Sequence, residues 1–149
     1  MTASAHALIG TVIAAKIGNP VLGIPLAIAS HVIADSIPHW DTATNGNGKG
    51  SVRMFYDTIA DVLISFILSY LLIYFLFPAT NIGYAFLLVI MSQALDWLTV
   101  PFYFFGVEKP LFKSVYKFQK IFDRKLDKPW GILTQVIFVS LVILLGLVF

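Results

Sequence analysis

The feature that most constrains this chain is a series of long apolar runs, each broken at a proline or a polar turn. Residues 3 to about 18 end at Asn19-Pro20, and residues 21 to 37 end before Pro38. Residues 56 to 77 stop at Pro78, 82 to 100 stop at Pro101, and a last run opens at Pro129-Trp130 and reaches Phe149. A residue before proline is pushed out of the helical region, whereas proline suits a first helical turn. A hydrocarbon core about 30 Å thick takes about 20 helical residues to cross. The pattern predicts an all-α integral membrane bundle of about five membrane helices, in one domain over residues 1–149, with the first two runs forming a short hairpin. Gly10, Ala14, Ala15, Gly23, Ala27 and Ala29 would let those two backbones approach closely, and Pro25 is placed to kink the second helix.

Composition agrees. Hydrophobic residues make up 58% of the 149 and charged residues 12%, against roughly 25% charged in a soluble domain. The chain has no cysteine, which excludes disulfides, thiolate metal sites and a cysteine nucleophile. No basic n-region or small-residue cleavage site marks the N-terminal run, so it is expected to be retained.

Residues 110 to 126 behave differently. Leu111, Val115, Phe118, Phe122 and Leu126 form one helical stripe, and Lys113, Lys117, Lys120 and Arg124 the opposite one. That suits an amphipathic helix lying in the headgroup region, with a helix covering the bundle ends as the plainer alternative. Residues 42 to 54 are rich in Gly, Asn, Ser and Thr and read as a loop. This loop and the 102–128 segment meet one membrane face and carry nine of the ten Lys and Arg residues. The positive-inside rule then places the N-terminus and both basic segments in the cytoplasm and the C-terminus outside.

Five of the eight acidic residues, Asp35, Asp41, Asp57, Asp61 and Asp96, lie inside or beside apolar runs. Traced through the hairpins, His6, His31, Asp35, Asp57, Asp61, Gln93, Asp96, Thr134 and Gln135 all come to the cytoplasmic ends of their helices. His31 and Asp35 are four apart, as are Asp57 and Asp61, so each pair shares a helix face. Pro38-His39-Trp40-Asp41 adds a further imidazole and carboxylate. A weak internal echo sets Ser30-His31, Asp35 and Pro38 against Ser92-Gln93, Asp96 and Pro101, as in a duplicated hairpin.

An uncompensated carboxylate in hydrocarbon costs about 2.5–3.5 kcal/mol on insertion scales, and neighbouring carboxylates repel one another. A divalent cation relieves both, and nitrogen–oxygen ligation without sulfur suits Zn, Mn, Fe or Mg, as one ion or two. The plainer readings are a helix cap for Asp57, a buried His–Asp hydrogen bond for His31 and Asp35, a solvated loop residue for Asp41, and an interfacial aromatic belt for Trp40, Trp97 and Trp130.

His6 with Gly10, followed by Ser30-His31-Val-Ile-Ala-Asp35-Ser-Ile-Pro38-His39-Trp-Asp41, resembles the YdjM-like membrane-bound metal-dependent hydrolases, small bacterial inner-membrane proteins. The resemblance covers mainly residues 1–65. The sequence departs from the family's Pro-Asp-x-Asp-His type segment by placing His-x3-Asp-x2-Pro-His-x-Asp there. The resemblance implies a metal-dependent hydrolase.

On that basis the expected ligands are His6, His31, Asp35, Asp61 and Asp41, with Asp57, His39 and Asp96 as catalytic residues. The expected reaction is hydrolysis of a phosphate-containing lipid or lipid-linked substrate by a metal-activated water. Lys49, Arg53, Lys113, Lys117, Lys120 and Arg124 would attract anionic headgroups. The alternatives are a proton or metal-ion carrier and a non-enzymatic scaffold with a structural metal. Nucleic acid is not an expected partner, because the basic stripe is backed by an apolar face suited to lipid.

Overall fold

A computed structural model describes residues 1–44 and 51–149. Among them are six helices: α1 (Ala3–Lys16), α2 (Pro20–Asp35), α3 (Val52–Leu76), α4 (Ile82–Phe105), α5 (Pro110–Phe122) and α6 (Trp130–Val148). Three of these, α3, α4 and α6, are long and apolar enough to cross a membrane, with mean hydropathies of 2.3, 1.6 and 2.6. Their outward faces are lined by large apolar side chains, including Tyr74 and Phe75 on α3 and Val136 and Leu144 on α6, which a watery solvent would not favour.

The short helix α1 is the axis of the bundle and packs against α2, α3, α4 and α6. A helix enclosed on all sides needs no polar face, and α1 accordingly carries Ala, Ile, Val and Gly around its circumference. Gly10 makes a tight crossing: a Cβ there would lie 2.8 Å from both the Leu88 carbonyl and Ser92 Oγ of α4. Small residues at such crossings let two backbones meet; the sequence suggests this between α1 and α2, whereas Gly10 and Gly23 both face α4.

Local chemistry sets the helix ends. Asn19 accepts from Val21 N at 2.9 Å, with Pro20 in the first turn of α2. Ser51 accepts from Met54 N at 3.1 Å, which starts α3 at Val52 rather than at Tyr56. Pro101 does not stop α4. Inside an apolar helix the missing N–H costs one bond and neighbours absorb it, so α4 continues to Phe105 and ends at Gly106, whose φ of 65° makes a left-handed C-cap.

Helix α5 has no buried residue and keeps its two-stripe character, with Leu111 and Phe118 exposed on the apolar side. It ends at Phe122, four residues before the expected limit, because the next segment is bonded elsewhere. Arg124 N donates to Asp35 O at 3.0 Å, His39 N to Arg124 O at 3.0 Å, and Leu126 N to His39 O at 2.7 Å. Trp40 N donates to Gly131 O at 3.2 Å. The chain leaving α2 is therefore fastened along the chain leaving α5, which brings Asp123 to the end of the bundle where α1 begins.

Candidate metal centre

Helix α2 presents His31 and Asp35 on one face, and α1 brings His6 against them. The three side chains are buried: His6 and His31 are each 1% exposed and Asp35 is 6%. The rings of His6 and His31 are stacked, and His6 Nε2 lies 3.2 Å from Asp35 Oδ1. His31 Nε2 lies 3.3 Å from Asp35 Oδ2 and 3.5 Å from Asp96 Oδ1. The Met1 amino group also pairs with Asp35 Oδ1.

Backbone carbonyls decide which way these rings face. His31 Nδ1 is 2.8 Å from the Ser92 carbonyl oxygen, and His39 Nδ1 is 2.8 Å from that of Ile37. A carbonyl only accepts, so each Nδ1 carries the proton and, in a neutral ring, Nε2 is left with a lone pair. Gln119 fits this assignment, because its amide nitrogen donates to His31 Nε2 at 3.0 Å and to Asp96 Oδ1 at 2.9 Å. The Nε2 atoms of His6 and His39 make no hydrogen bond despite carboxylate oxygens at 3.2 and 3.5 Å. Lone pairs and carboxylates aimed at one another, without a proton aligned between them, are the arrangement that a cation completes.

Two groupings of histidine and carboxylate are close enough to hold a metal ion. Ligand atoms of His6, His31 and Asp96 all lie within 4.8 Å of one another, as do those of His39, Asp41 and Asp123. The donors are imidazole nitrogen and carboxylate oxygen without sulfur, a set compatible with Zn, Mn, Fe or Mg. A cavity of about 290 Å³ opens beside the centre, with Asp35, Asp41, Asp96 and Asp123 on its polar side and Trp97, Tyr103, Phe104 and Tyr116 among its apolar walls.

Other expected residues take other partners. Asp61 lines the same cavity, but its carboxylate turns to the start of α1 rather than to the histidines. Its Oδ2 accepts from Ala3 N at 2.6 Å, and its Oδ1 accepts from Ser4 Oγ at 2.5 Å and Ser4 N at 3.3 Å. The carboxylate thus satisfies free N–H groups of a buried helix end, which replaces the ligand role expected for it. Asp57 is exposed and faces Arg53 at 3.8 Å, one turn away on α3, so it is not a catalytic group of this centre. His39 is fully buried and does not line the cavity, whereas Asp96 does; the expected catalytic role of His39 gives way to a ligand position.

The basic residues also divide. Arg53 is 91% exposed, Lys113 pairs with Glu108 at 3.3 Å, and Lys117 and Arg124 are exposed. Lys120 pairs with Asp123 at 3.0 Å and lines the cavity. Lys49 lies outside the described residues. Gln93 and Gln135 act as interhelical links: Gln93 donates to Ser65 Oγ at 3.2 Å, and Gln135 to Thr2 Oγ1 at 3.1 Å.

Sequence reasoning missed Gln119, Asp123 and Lys125. Lys125 Nζ is 3.0 Å from Asp41 and 3.7 Å from Asp123. Burial alone would push the Asp123 carboxyl up, but the Lys125 and Lys120 ammoniums overrule it and hold the group well below the usual carboxylate range. Lys120 is raised in turn, Asp123 outweighing the opposing effect of burial. A signal was present: Tyr116, Gln119 and Asp123 recur at three and four residues, a third face of α5 between the apolar and basic stripes.

No protein-family model, curated protein or solved structure matches the chain.

Proposed function

We propose that the chain is a multi-pass protein of a bacterial inner membrane and a metal-dependent hydrolase of the YdjM-like kind. In this reading α3, α4 and α6 cross the bilayer, the α1–α2 hairpin is embedded between them, and α5 lies in the headgroup layer. Its basic stripe supports a cytoplasmic side for the centre and the N-terminus. The substrate is a phosphate-containing lipid or lipid-linked phosphate that enters the cavity from the bilayer.

One observation carries the reading. His6 and His31 are buried at the end of an apolar bundle with their Nε2 atoms turned on Asp35 and Asp96, beside a cavity with both apolar and charged walls. Structural His–Asp pairs do not call for an adjoining cavity, and a cavity for an apolar ligand does not call for buried imidazoles.

Named roles follow. His6, His31 and Asp35 would hold the cation, which would take the places at His31 Nε2 and Asp35 that the Gln119 amide and the Met1 ammonium now fill, while Gln119 keeps its hydrogen bond to Asp96. A divalent cation at this place supplies Lewis-acid polarisation of a phosphoryl or carbonyl oxygen and lowers the pKa of water. Asp96, 41% exposed at its side chain, reaches the cavity and is placed to take a proton from water there. Trp97, Tyr103, Phe104 and Tyr116 receive the apolar part of the substrate and exclude bulk water, while Lys120 meets its anionic part.

The test uses the full chain in detergent with Mn2+ and mixed micelles of phosphatidate, with inorganic phosphate release as the readout. Release that is abolished by chelator and by Asp96→Asn supports the hydrolase. Stoichiometric metal without turnover on phosphate or carboxyl esters would favour the structural-metal scaffold, and metal flux in proteoliposomes would favour the carrier.

A further inference from the structure

We infer that Asp35 bridges two cation sites, one at His6 and His31 with Asp96 beside it as the proton acceptor, the other at His39, Asp41 and Asp123. The inference rests on the proposed function for the first site and adds the second. Asp35 is the only carboxylate among the described residues near all three imidazoles: Oδ1 is 3.2 Å from His6 Nε2 and 3.8 Å from His39 Nε2, and Oδ2 is 3.3 Å from His31 Nε2. A carboxylate offering both oxygens to ligands of two groups has the placement of a bridging ligand.

His39 supplies the independent argument. It is completely buried, its Nδ1 is committed to the Ile37 carbonyl, and its Nε2 has no hydrogen-bond partner although Asp123 Oδ1 stands 3.5 Å away. A ligating histidine characteristically donates its other N–H to a carbonyl or carboxylate, as His39 does. The backbone strap explains how Asp123 reaches this place from the far end of α5: His39 N and O are bonded to Arg124 O and Leu126 N, on either side of Lys125.

Among the described residues five carboxylates, Asp35, Asp41, Asp61, Asp96 and Asp123, face one cavity, and the cations there are the Met1 ammonium, Lys120 and Lys125. At present Lys125 contacts Asp41 and Asp123, and Lys120 contacts Asp123. A cation among His39, Asp41 and Asp123 displaces the Lys125 ammonium from them, and both lysines line the cavity. The displaced charges would then serve an anionic substrate rather than the protein's own carboxylates. Paired cations holding the attacking and leaving oxygens suit in-line displacement at phosphorus, which selects a phosphoester or phosphoanhydride over a carboxylic ester.

The experiment is Mn2+ binding to the full chain in detergent, by equilibrium dialysis and electron paramagnetic resonance. The inference expects about two Mn2+ per chain with an exchange-coupled spectrum, as for a carboxylate-bridged pair. Asp123→Asn, an isosteric change, and His39→Ala should each retain about one ion and show the spectrum of isolated Mn2+. One ion in the parent chain, unchanged by either substitution, overturns the second site and leaves the first intact. Two ions without coupling overturn the bridge. No bound ion in the parent chain overturns both this inference and the proposed function.

Discussion

The ring of His6 lies flat against the ring of His31, with centroids 4.0 Å apart and planes inclined by 15°. Two imidazolium cations stacked at that spacing inside an apolar bundle would repel strongly. Two neutral rings instead turn adjacent lone pairs toward the same carboxylates. His6→Phe keeps a stacked ring and removes the nitrogen. The variant should fold, with a melting temperature in chelator near that of the parent chain. Each bound cation at a hundred times its dissociation constant should add about 2.7 kcal/mol, and the variant should lose the contribution of the His6–His31 site. Thermal melts in detergent with and without Mn2+ check this; equal Mn2+ stabilisation of both chains contradicts it.

Asp61 should behave as a structural residue. Asp61→Asn keeps the shape but replaces charge-assisted acceptors at the start of α1 with weaker ones, at a cost of about 1–3 kcal/mol. Metal content should not change. Loss of metal with unchanged melting temperature would restore the ligand role that the sequence suggests.

The distinction between Asp61 and Asp35 shows how far sequence reasoning carries. Apolar run length and proline punctuation locate α1, α2, α3, α4 and α6 to within a few residues, because both act locally. Four-residue spacing correctly puts His31 beside Asp35. It cannot say which neighbouring helix a face meets, so Asp61, on the expected end of α3, turns to the N–H groups of α1 instead. Pro101 is read as a stop on rules for water-exposed helices, which an apolar surrounding relaxes. Asp123 and Gln119 escape notice because a charged residue in a basic run reads as solvated, and only the strap across His39 and Lys125 reveals where it goes.

That strap makes a second prediction about stability. A Cβ on Gly131 would collide with the Leu126 carbonyl and stand 2.8 Å from Trp40 N, both backbone atoms with little room to yield. Gly131→Ala should destabilise by about 1–3 kcal/mol. It should weaken cation binding at His39 more than at His31, since the strap positions only the former. Mn2+ titration of the variant reads both effects, and equal weakening at the two sites would count against the strap's role.

Acid should act on the same region. Asp123 is held below the usual carboxylate range by the Lys125 and Lys120 ammoniums, against the upward push of burial. A depressed carboxylate contributes stability that is fully present above its unfolded pKa of about 3.9 and is lost as pH falls through the lower folded value. In chelator, the parent chain should therefore lose more melting temperature below about pH 4 than Asp123→Asn does. Parallel pH profiles for the two chains would contradict the assignment.

The central claim is that residues distant in the chain share a cation, and metal analysis of the purified protein tests it most directly. Elemental analysis of the detergent-purified parent chain, His31→Ala and Asp61→Asn should give stoichiometric divalent metal in the first. The second should lose metal at the His6–His31–Asp35 position, and the third should retain the parent's content. A parent chain without metal, its melting temperature unmoved by added Zn2+ or Mn2+, would contradict the account.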